Sequence, residues 1–537
     1  MRYLVSHLLE ESARKTPDAP AVIDGEREIT YLALERQSNR LANLLIELGV
    51  QRGERVGIYL DKSIESVVAI YGTLKAGGAY VPLDPQAPPA RLGYIARDAG
   101  VRVLLTGCEK QDAWRALMED DPALQSLVVL NGGPAAASEG VRVLTPSDVA
   151  AASDSALPVQ VVDCDLAYIL YTSGSTGIPK GVMLTHRNCL AFVEWAVEEF
   201  AVGTEDRLSS HAPLHFDLST FDLFAAAAAG AAVVLVPAQA SVFPSEIRRF
   251  IESAGITIWY SVPSILTMLV IRGGLEVGAL PTLRTVLFAG EVFPTSHLKR
   301  LVELLPGVRF ANLYGPTETN VCTWWEVTEL PEDSSETIPI GRAIANVDTF
   351  VVTDDGRLAE TGEVGELYVR GPTVMQGYLG DPAKTVSRLV PTPFGDMHGQ
   401  LVYRTGDLVQ ETSSGDYRFL GRRDDQVKSR GYRIELGDVE AAIQAHPAVT
   451  ECAVVAVADD LVGSRLYAFV AASDEMPDPP FGAFCAERIP GYMIPERFEV
   501  NGALPKTSTG KIDRPALAAR VSPGAAGSSS DTESVVR

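Results

Sequence analysis

The segment Tyr171-Thr172-Ser173-Gly174-Ser175-Thr176-Gly177-Ile178-Pro179-Lys180-Gly181 concentrates the groups that hold phosphate. Gly174, Gly177 and Gly181 let the backbone approach an anion closely, the hydroxyls of Thr172, Ser173, Ser175 and Thr176 can donate to phosphate oxygens, and Lys180 adds a point charge. A Walker A loop requires Gly-Lys-Ser/Thr, whereas here Pro179 precedes Lys180 and Gly181 follows it, so a P-loop NTPase is disfavoured. The plain alternative is a flexible Gly/Ser linker. Against it, the apolar run Leu166 to Leu170 predicts a buried strand before the loop, and the amphipathic run after Thr185 predicts a helix behind it.

The elements around this loop are legible as alternating strands and helices. Arg55 to Leu60, Ala79 to Leu83, Val101 to Thr106 and Ser126 to Leu130 read as strands, and Leu34, Leu41, Leu44, Leu45 and Leu48 fall on one helical face that ends at Gly49. Further strands are expected at Ala232 to Val236, Ile256 to Tyr260 and Leu283 to Phe288, with residues 131–158 as surface connection. Such alternation predicts an α/β fold with mainly parallel sheets covered by helices. Between Leu330 and Gly421 short strands with frequent Gly and Pro predict a β-rich subdomain. Two apolar strands, Cys452 to Val457 and Leu466 to Ala471, predict a small, mobile α+β domain over 422–520, after a large amino-terminal domain over 1–421. The Gly/Ser/acid tail, 521–537, reads as disordered.

At 537 residues the chain exceeds what one core normally serves. Its 46 basic and 69 acidic residues leave a net charge of −23, which argues against nucleic acid as a partner because clustered Lys and Arg are missing. The six cysteines are scattered without Cys-x-x-Cys, as in a reducing cytoplasm, and the seven histidines lack metal-ligand spacing. No signal core precedes residue 20, because Glu10, Glu11, Arg14 and Lys15 interrupt it. The longest apolar run, Leu223 to Pro237, falls short of the ~20 residues a bilayer span needs, so no membrane association is expected.

The phosphate loop resembles the signature loop of adenylate-forming enzymes, the superfamily of acyl-CoA synthetases, luciferases and the adenylation domains of nonribosomal peptide synthetases. Further motifs follow in that family's order over roughly residues 8 to 515. The resemblance implies that in Asn312-Leu313-Tyr314-Gly315-Pro316-Thr317-Glu318-Thr319, Asn312 reads the adenine of ATP, Tyr314 stacks on the ring, Gly315 lies in the turn, Thr317 meets the α-phosphate and Glu318 holds Mg²⁺. One carboxylate is chemically reasonable, since Mg²⁺ takes few protein ligands and keeps waters. A capped strand-to-helix turn is the alternative reading. In Tyr403-Arg404-Thr405-Gly406-Asp407-Leu408, Asp407 offers acceptors to the ribose diol. The stretch from Phe419 to Gly437 is similar to the family's hinge region: Asp424 matches the hinge position and Arg422 the phosphate-contacting arginine, while Phe419 stands where many members carry Tyr and can pack without a ring hydroxyl. Leu504-Pro505-Lys506-Thr507-Ser508-Thr509-Gly510-Lys511 matches the last motif and makes Lys511 the adenylation lysine.

His215-Phe216-Asp217-Leu218-Ser219-Thr220-Phe221 would open the acid pocket. Aryl and fatty acids need no anion there, so Asp217 points to a substrate ammonium, with a helix N-cap as the alternative role. Carried over position by position, the pocket wall is Leu218, Phe221, Tyr260, Leu287, Ala289, Leu313, Val321 and Cys322. This lining is similar to that of stand-alone prolyl ligases that load a free carrier protein in pyrrole-type natural-product pathways. L-Proline is the expected substrate, though alanine, valine and pipecolate stay open, because a methylene is worth only ~1–3 kcal/mol in such a pocket. No Gly-Gly-x-Ser carrier motif follows Lys511, so the phosphopantetheine acceptor is expected on a separate carrier protein. Two rivals remain: an acyl-CoA synthetase for a small or aromatic acid, against which Asp217 argues, and a non-catalytic adenylate-binding scaffold, against which Lys511, Glu318 and Asp407 argue together.

Overall fold

The computed structural model describes residues 2–120, 123–132, 140–158, 160–174, 178–392, 400–424, 426–472, 478–507 and 512–521. Ser175, Thr176, Gly177 and Lys511, named above, lie outside the described residues, as does the tail beyond residue 521. By its contacts the chain forms two compact units, Met1–Thr172 with Pro179–Asp424, and Ser173–Ile178 with Asp425–Arg537.

In the first unit, the nine-stranded sheet of the described residues runs Arg342–Ala343, Thr323–Glu326, Arg309–Tyr314, Thr285–Ala289, Ile258–Ser261, Arg207–Ser210, Ala232–Leu235, Pro20–Asp24, Arg27–Thr30. Its six inner strands, from Arg309–Tyr314 to Pro20–Asp24, are parallel and its edges antiparallel. A second sheet orders Gly377–Tyr378, Lys180–Thr185, Leu166–Thr172, Ala79–Pro82, Arg55–Tyr59, Val103–Thr106, Ser126–Val129 and Arg142–Leu144. The strands buried on both faces read as continuous apolar runs, as parallel strands under helices must. A third, antiparallel sheet is built from Asp348–Val352, Val364–Arg370, Leu401–Glu411, Leu389–Pro391 and Tyr417–Arg422.

Helices pack through the faces that the sequence marks. Tyr31–Glu47 is capped by the Thr30 hydroxyl, which accepts from the Ala33 amide, and buries Leu34, Leu41, Leu44 and Leu45. Gly49, at φ +85°, turns the chain out of it. The next helix, Ile64–Lys75, crosses so closely that a Cβ on Gly72 would lie 2.7 Å from the Leu41 side chain.

Two local expectations are corrected. The phosphate loop does not join a strand to a helix: Lys180–Thr185 is a strand antiparallel to Leu166–Thr172, and the helix His186–Glu199 starts only after it. Residues 131–158 are more than surface connection, since Arg142–Leu144 adds the last strand of the second sheet and Pro146–Ala151 is helical.

The second unit is α+β. Val449–Asp459 and Gly463–Ala472 pair antiparallel, and Arg497–Asn501 joins the latter in parallel. The helix Leu436–Gln444 buries Leu436, Val439, Ala442 and Ile443 in one cluster with Cys452, Val454, Leu466, Ala468 and Val470. A hairpin of Gln426–Ser429 and Tyr432–Glu435 turns through Arg430 and Gly431, both at positive φ, the geometry that matches strand twist in a two-residue turn. Among the described residues, no helix is long and apolar enough to cross a membrane.

One buried histidine gives the first unit an acid dependence. His186 is 1 % exposed and accepts the Val5 amide on Nδ1; burial pushes its pKa down to about 4, with Asp165 partly opposing. Because the folded value lies below the unfolded one of ~6.5, its stabilising share is complete above that pH and is lost as pH falls toward 4, at ~1.4 kcal/mol per pH unit at most. The urea midpoint is therefore expected to fall between pH 6.5 and 4.5 less steeply in His186→Gln than in the parent. Equal slopes would assign the acid loss to other groups.

Candidate active site

The candidate acid wall draws on three strands, a helical segment and a turn. In the nine-stranded sheet Tyr260 pairs with Leu287, and Ala289 with Leu313. Side chains alternate along a strand, so Tyr260, Leu287, Ala289 and Leu313 share one face, while Trp259, Phe288 and Phe310 pack in a different cluster. The helical segment 218–229 places Leu218 and Phe221 against that face, with the Phe221 and Tyr260 rings edge to face at 5.5 Å. Val321 and Cys322 follow the turn after Tyr314. All these wall residues are buried and belong to one hydrophobic cluster. Burial pushes the Cys322 thiol up to about 12, so it acts as a small apolar surface rather than a nucleophile.

Asp217 precedes the first turn of that helical segment and is half-buried. Its side chain makes no capping hydrogen bond, which removes the N-cap role weighed above. Its charge is felt at the wall: burial drives the Tyr260 phenol well above its usual range, and Asp217 pushes it further.

The nucleotide motif lies one element further along than a strand-to-helix turn would put it. Asn312, Leu313 and Tyr314 are in the strand itself, and Gly315 to Val321 turn the chain back into Thr323–Glu326. The turn is tight enough that a Cβ on Gly315 would sit 1.6 Å from the Asn320 carbonyl oxygen, so no other residue fits. The Asn312 amide donates to the Pro339 carbonyl at 2.8 Å. Thr317 is half-buried, and Glu318 is fully buried.

Two polar groups converge on this turn. At one side, the Tyr314 hydroxyl donates to Asp407 Oδ2, and Arg422 Nη1 donates to Asp407 Oδ1 at 2.7 Å. Burial, with Asp407 beside it, pushes the Tyr314 phenol well up, which keeps it the donor. Phe419 packs beside Tyr314 with ring centroids 6.5 Å apart. Arg422 also grips Asp424 through two bonds of 2.7 and 2.8 Å, and Arg388 reaches the same carboxylate at 3.3 Å. Burial alone would raise Asp424, yet Arg422 and then Arg388 hold it at about 2, so Asp424 is fully charged at neutral pH.

At the other side, Lys180 Nζ lies 3.9 Å from Glu318 Oε1, and the Tyr378 hydroxyl donates to that same oxygen at 2.7 Å. Lys180 also sits 5.2 Å from the Tyr378 ring centroid. Tyr378 was not foreseen from the sequence; its only signal is a Gly-Tyr pair inside an apolar run, and its role depends on a partner sixty positions away. Thr172, at the end of its strand, has a buried hydroxyl without a hydrogen-bond partner among the described residues. Ser173 belongs by contacts to the second unit, where its hydroxyl donates to the Arg433 carbonyl and accepts from the Glu435 amide. In the same unit a Cβ on Gly174 would lie 2.0 Å from the Ile178 carbonyl oxygen. Lys506 and Ile512, which flank the undescribed residues 508–511, pair antiparallel.

The donor set fits a phosphate and one hard cation. A hydroxyl with no partner among the described residues and a lysine are groups that could meet an anion, one buried carboxylate is present, and no group of three or more potential metal-ligating residues occurs among the described residues. That suits Mg²⁺, which shares its ligands with substrate phosphates and water.

The model for "AMP-binding enzyme" matches residues 9–379, and that for "AMP-binding enzyme C-terminal domain" matches residues 438–511. The chain belongs to the AMP-binding enzyme family. Among relatives of this enzyme, the L-proline--[L-prolyl-carrier protein] ligase of Pseudomonas fluorescens is 40% identical over 526 residues, covering 97% of this chain and 100% of the relative. The protein with the same description from Streptomyces coelicolor is 38% identical over 521 residues, 95% of each chain. The AMP-binding enzyme also superposes on the adenylation domain AlmE of Vibrio cholerae, solved with glycyl-adenosine-5'-phosphate, at a TM-score of 0.84 and 25% identity over 97% of this chain and 98% of that one. The mixed α/β architecture, with a large amino-terminal and a smaller carboxy-terminal part, is the one these structures share.

Proposed function

We propose that this enzyme activates L-proline with ATP as prolyl-AMP and transfers the prolyl group to the phosphopantetheine thiol of a separate carrier protein. The observation that carries the reading is Asp217, a half-buried carboxylate whose charge reaches Tyr260 in an otherwise apolar wall. A wall of this kind accepts a compact apolar side chain, and a carboxylate at it is stabilised by a substrate ammonium. Two near full-length relatives described as prolyl-carrier protein ligases support both the acid and the acceptor. Pyrrole-type natural-product biosynthesis in the cytoplasm is the setting this reading proposes, and six free cysteines accord with a reducing compartment.

In the first step a proline carboxylate oxygen bonds to the α-phosphorus of ATP, the bond from that phosphorus to the bridging oxygen breaks, and pyrophosphate leaves. Asp217 orients the amine, and the wall from Leu218 to Cys322 excludes water from the acyl carbon. Asn312, Tyr314, Gly315, Thr317, Asp407, Phe419 and Arg422 form the nucleotide site, with Thr172, Ser173, Gly174, Ser175, Thr176, Gly177 and Lys180 on the phosphates. Glu318 would hold Mg²⁺, which when bound neutralises phosphate charge. Lys511 supplies the cation on the charge that builds between carboxylate and α-phosphate. The small domain then turns about Asp424, and the carrier thiolate bonds to the acyl carbon as AMP leaves with the electron pair of the mixed anhydride.

Acid-dependent exchange of pyrophosphate into ATP, run over amino acids and aryl acids, tests the reading: proline should lead the panel. Preferred exchange with an acid lacking an amino group would overturn it. Within the site, Tyr378→Phe should slow proline-dependent exchange by about 10- to 100-fold, the worth of one hydrogen bond to a buried charge, with KM for proline unchanged. Parent activity in that variant would show that Glu318 is aligned without Tyr378.

A further inference from the structure

Lys62 and Asp222 carry opposite charges that none of these roles uses. Lys62, in the loop between Arg55–Tyr59 and Ile64–Lys75, donates to the carbonyls of Ser210, His211 and Ala212 at 2.5, 2.9 and 3.4 Å. An ammonium has three donors, and these carbonyls engage all three of Lys62's. The countercharge is Asp222, 0 % exposed, and among the described residues neither of its carboxylate oxygens has a hydrogen-bond partner. It stands in a π-helical turn, Phe221–Ala225, an irregularity that recurs at functional sites. Lys62 acts on Asp222 through charge alone: burial drives the carboxyl up and Lys62 draws it back, while burial lowers Lys62 and Asp222 raises it.

The placement of these contacts around Asp217 is what gives them meaning. Ala212 and Asp222 are each five positions from it, on opposite sides. One ammonium thus holds the segment entering the acid site by its carbonyls and the segment leaving it by charge, and it does so from a loop of the other sheet. We infer that Lys62 and Asp222 form a clamp that positions Asp217 for the substrate ammonium, so that both are positioning residues for the acid and not for ATP. This rests on the proposed role of Asp217. Removing the clamp lets the carboxylate wander, and recognition of an amine by one charge-assisted contact falls steeply with misplacement.

The test is a split of Michaelis constants in pyrophosphate exchange. Lys62→Met keeps length and removes charge; it should raise KM for proline by about tenfold or more and leave KM for ATP within about twofold. Asp222→Asn gives a second, shape-preserving readout, which decides alone if Lys62→Met does not fold. The groups facing Lys62 are Asp222 from the helical turn and His211 from the strand end, the latter held neutral because burial and Lys62 push it down to about 3; Asp61 on its own loop is taken by Lys110 at 2.8 Å. With Asp222 neutralised, Lys62 keeps its carbonyl acceptors but loses its countercharge, so the alkaline rise of proline KM should begin at lower pH than in the parent. Titration of proline itself is common to both and drops out. An unchanged proline KM in Lys62→Met, equal rises for proline and ATP, or a parental pH profile in Asp222→Asn each overturns the clamp. Failure of the underlying reading shows differently, as parent enzyme that prefers acids without an amino group, and it takes the clamp's role with it.

Discussion

Lys511→Ala is expected to slow adenylate formation by about 10²- to 10³-fold while leaving thioester formation from preformed prolyl-AMP close to the parental rate. The magnitude is that of removing one preorganised group from the place where transition-state charge develops. The asymmetry follows from chemistry: charge builds between carboxylate and α-phosphate only in the first step, whereas the second breaks an anhydride already formed. Single-turnover measurement of each half-reaction separates the two. Equal losses in both would show that the lysine supports the fold of the small domain instead, and an unimpaired first step would remove it from catalysis.

Asp217→Ala should cut kcat/KM for proline far more than it changes KM for ATP. Removing one partner of a buried ion pair costs ~3–5 kcal/mol. Asp217 is half-buried, so the lower end applies, on the order of 10²-fold. The same variant should lose less against an isosteric acid that lacks the amine, because no cation is then left unpaired. Parental use of proline by the variant would place the ammonium elsewhere.

Much of the site was readable because it is local. The candidate nucleotide turn, acid-pocket segment and hinge stretch are contiguous motifs, and the resemblance named Leu287 and Ala289 together, two positions that alternation along Thr285–Ala289 puts on one face. The phosphate hairpin was misread because Lys180–Thr185 is short and opens directly into a helix, so its pairing with Leu166–Thr172 leaves little periodicity of its own. Arg142–Leu144 was missed for a related reason: a short edge strand takes its geometry from its neighbour Ser126–Val129. The residues that escaped altogether act across distance. Tyr378 is defined by Glu318, and Lys62 by carbonyls more than a hundred positions away, and no spacing rule links either pair.

The most direct test of the central claim is the intact mass of a phosphopantetheinylated carrier protein after incubation with the enzyme, Mg²⁺, ATP and L-proline. The account predicts a gain of one prolyl group on the pantetheine thiol, dependent on ATP and absent with carrier lacking the prosthetic arm. No gain on the carrier, together with efficient formation of an acyl thioester on free coenzyme A, would contradict it.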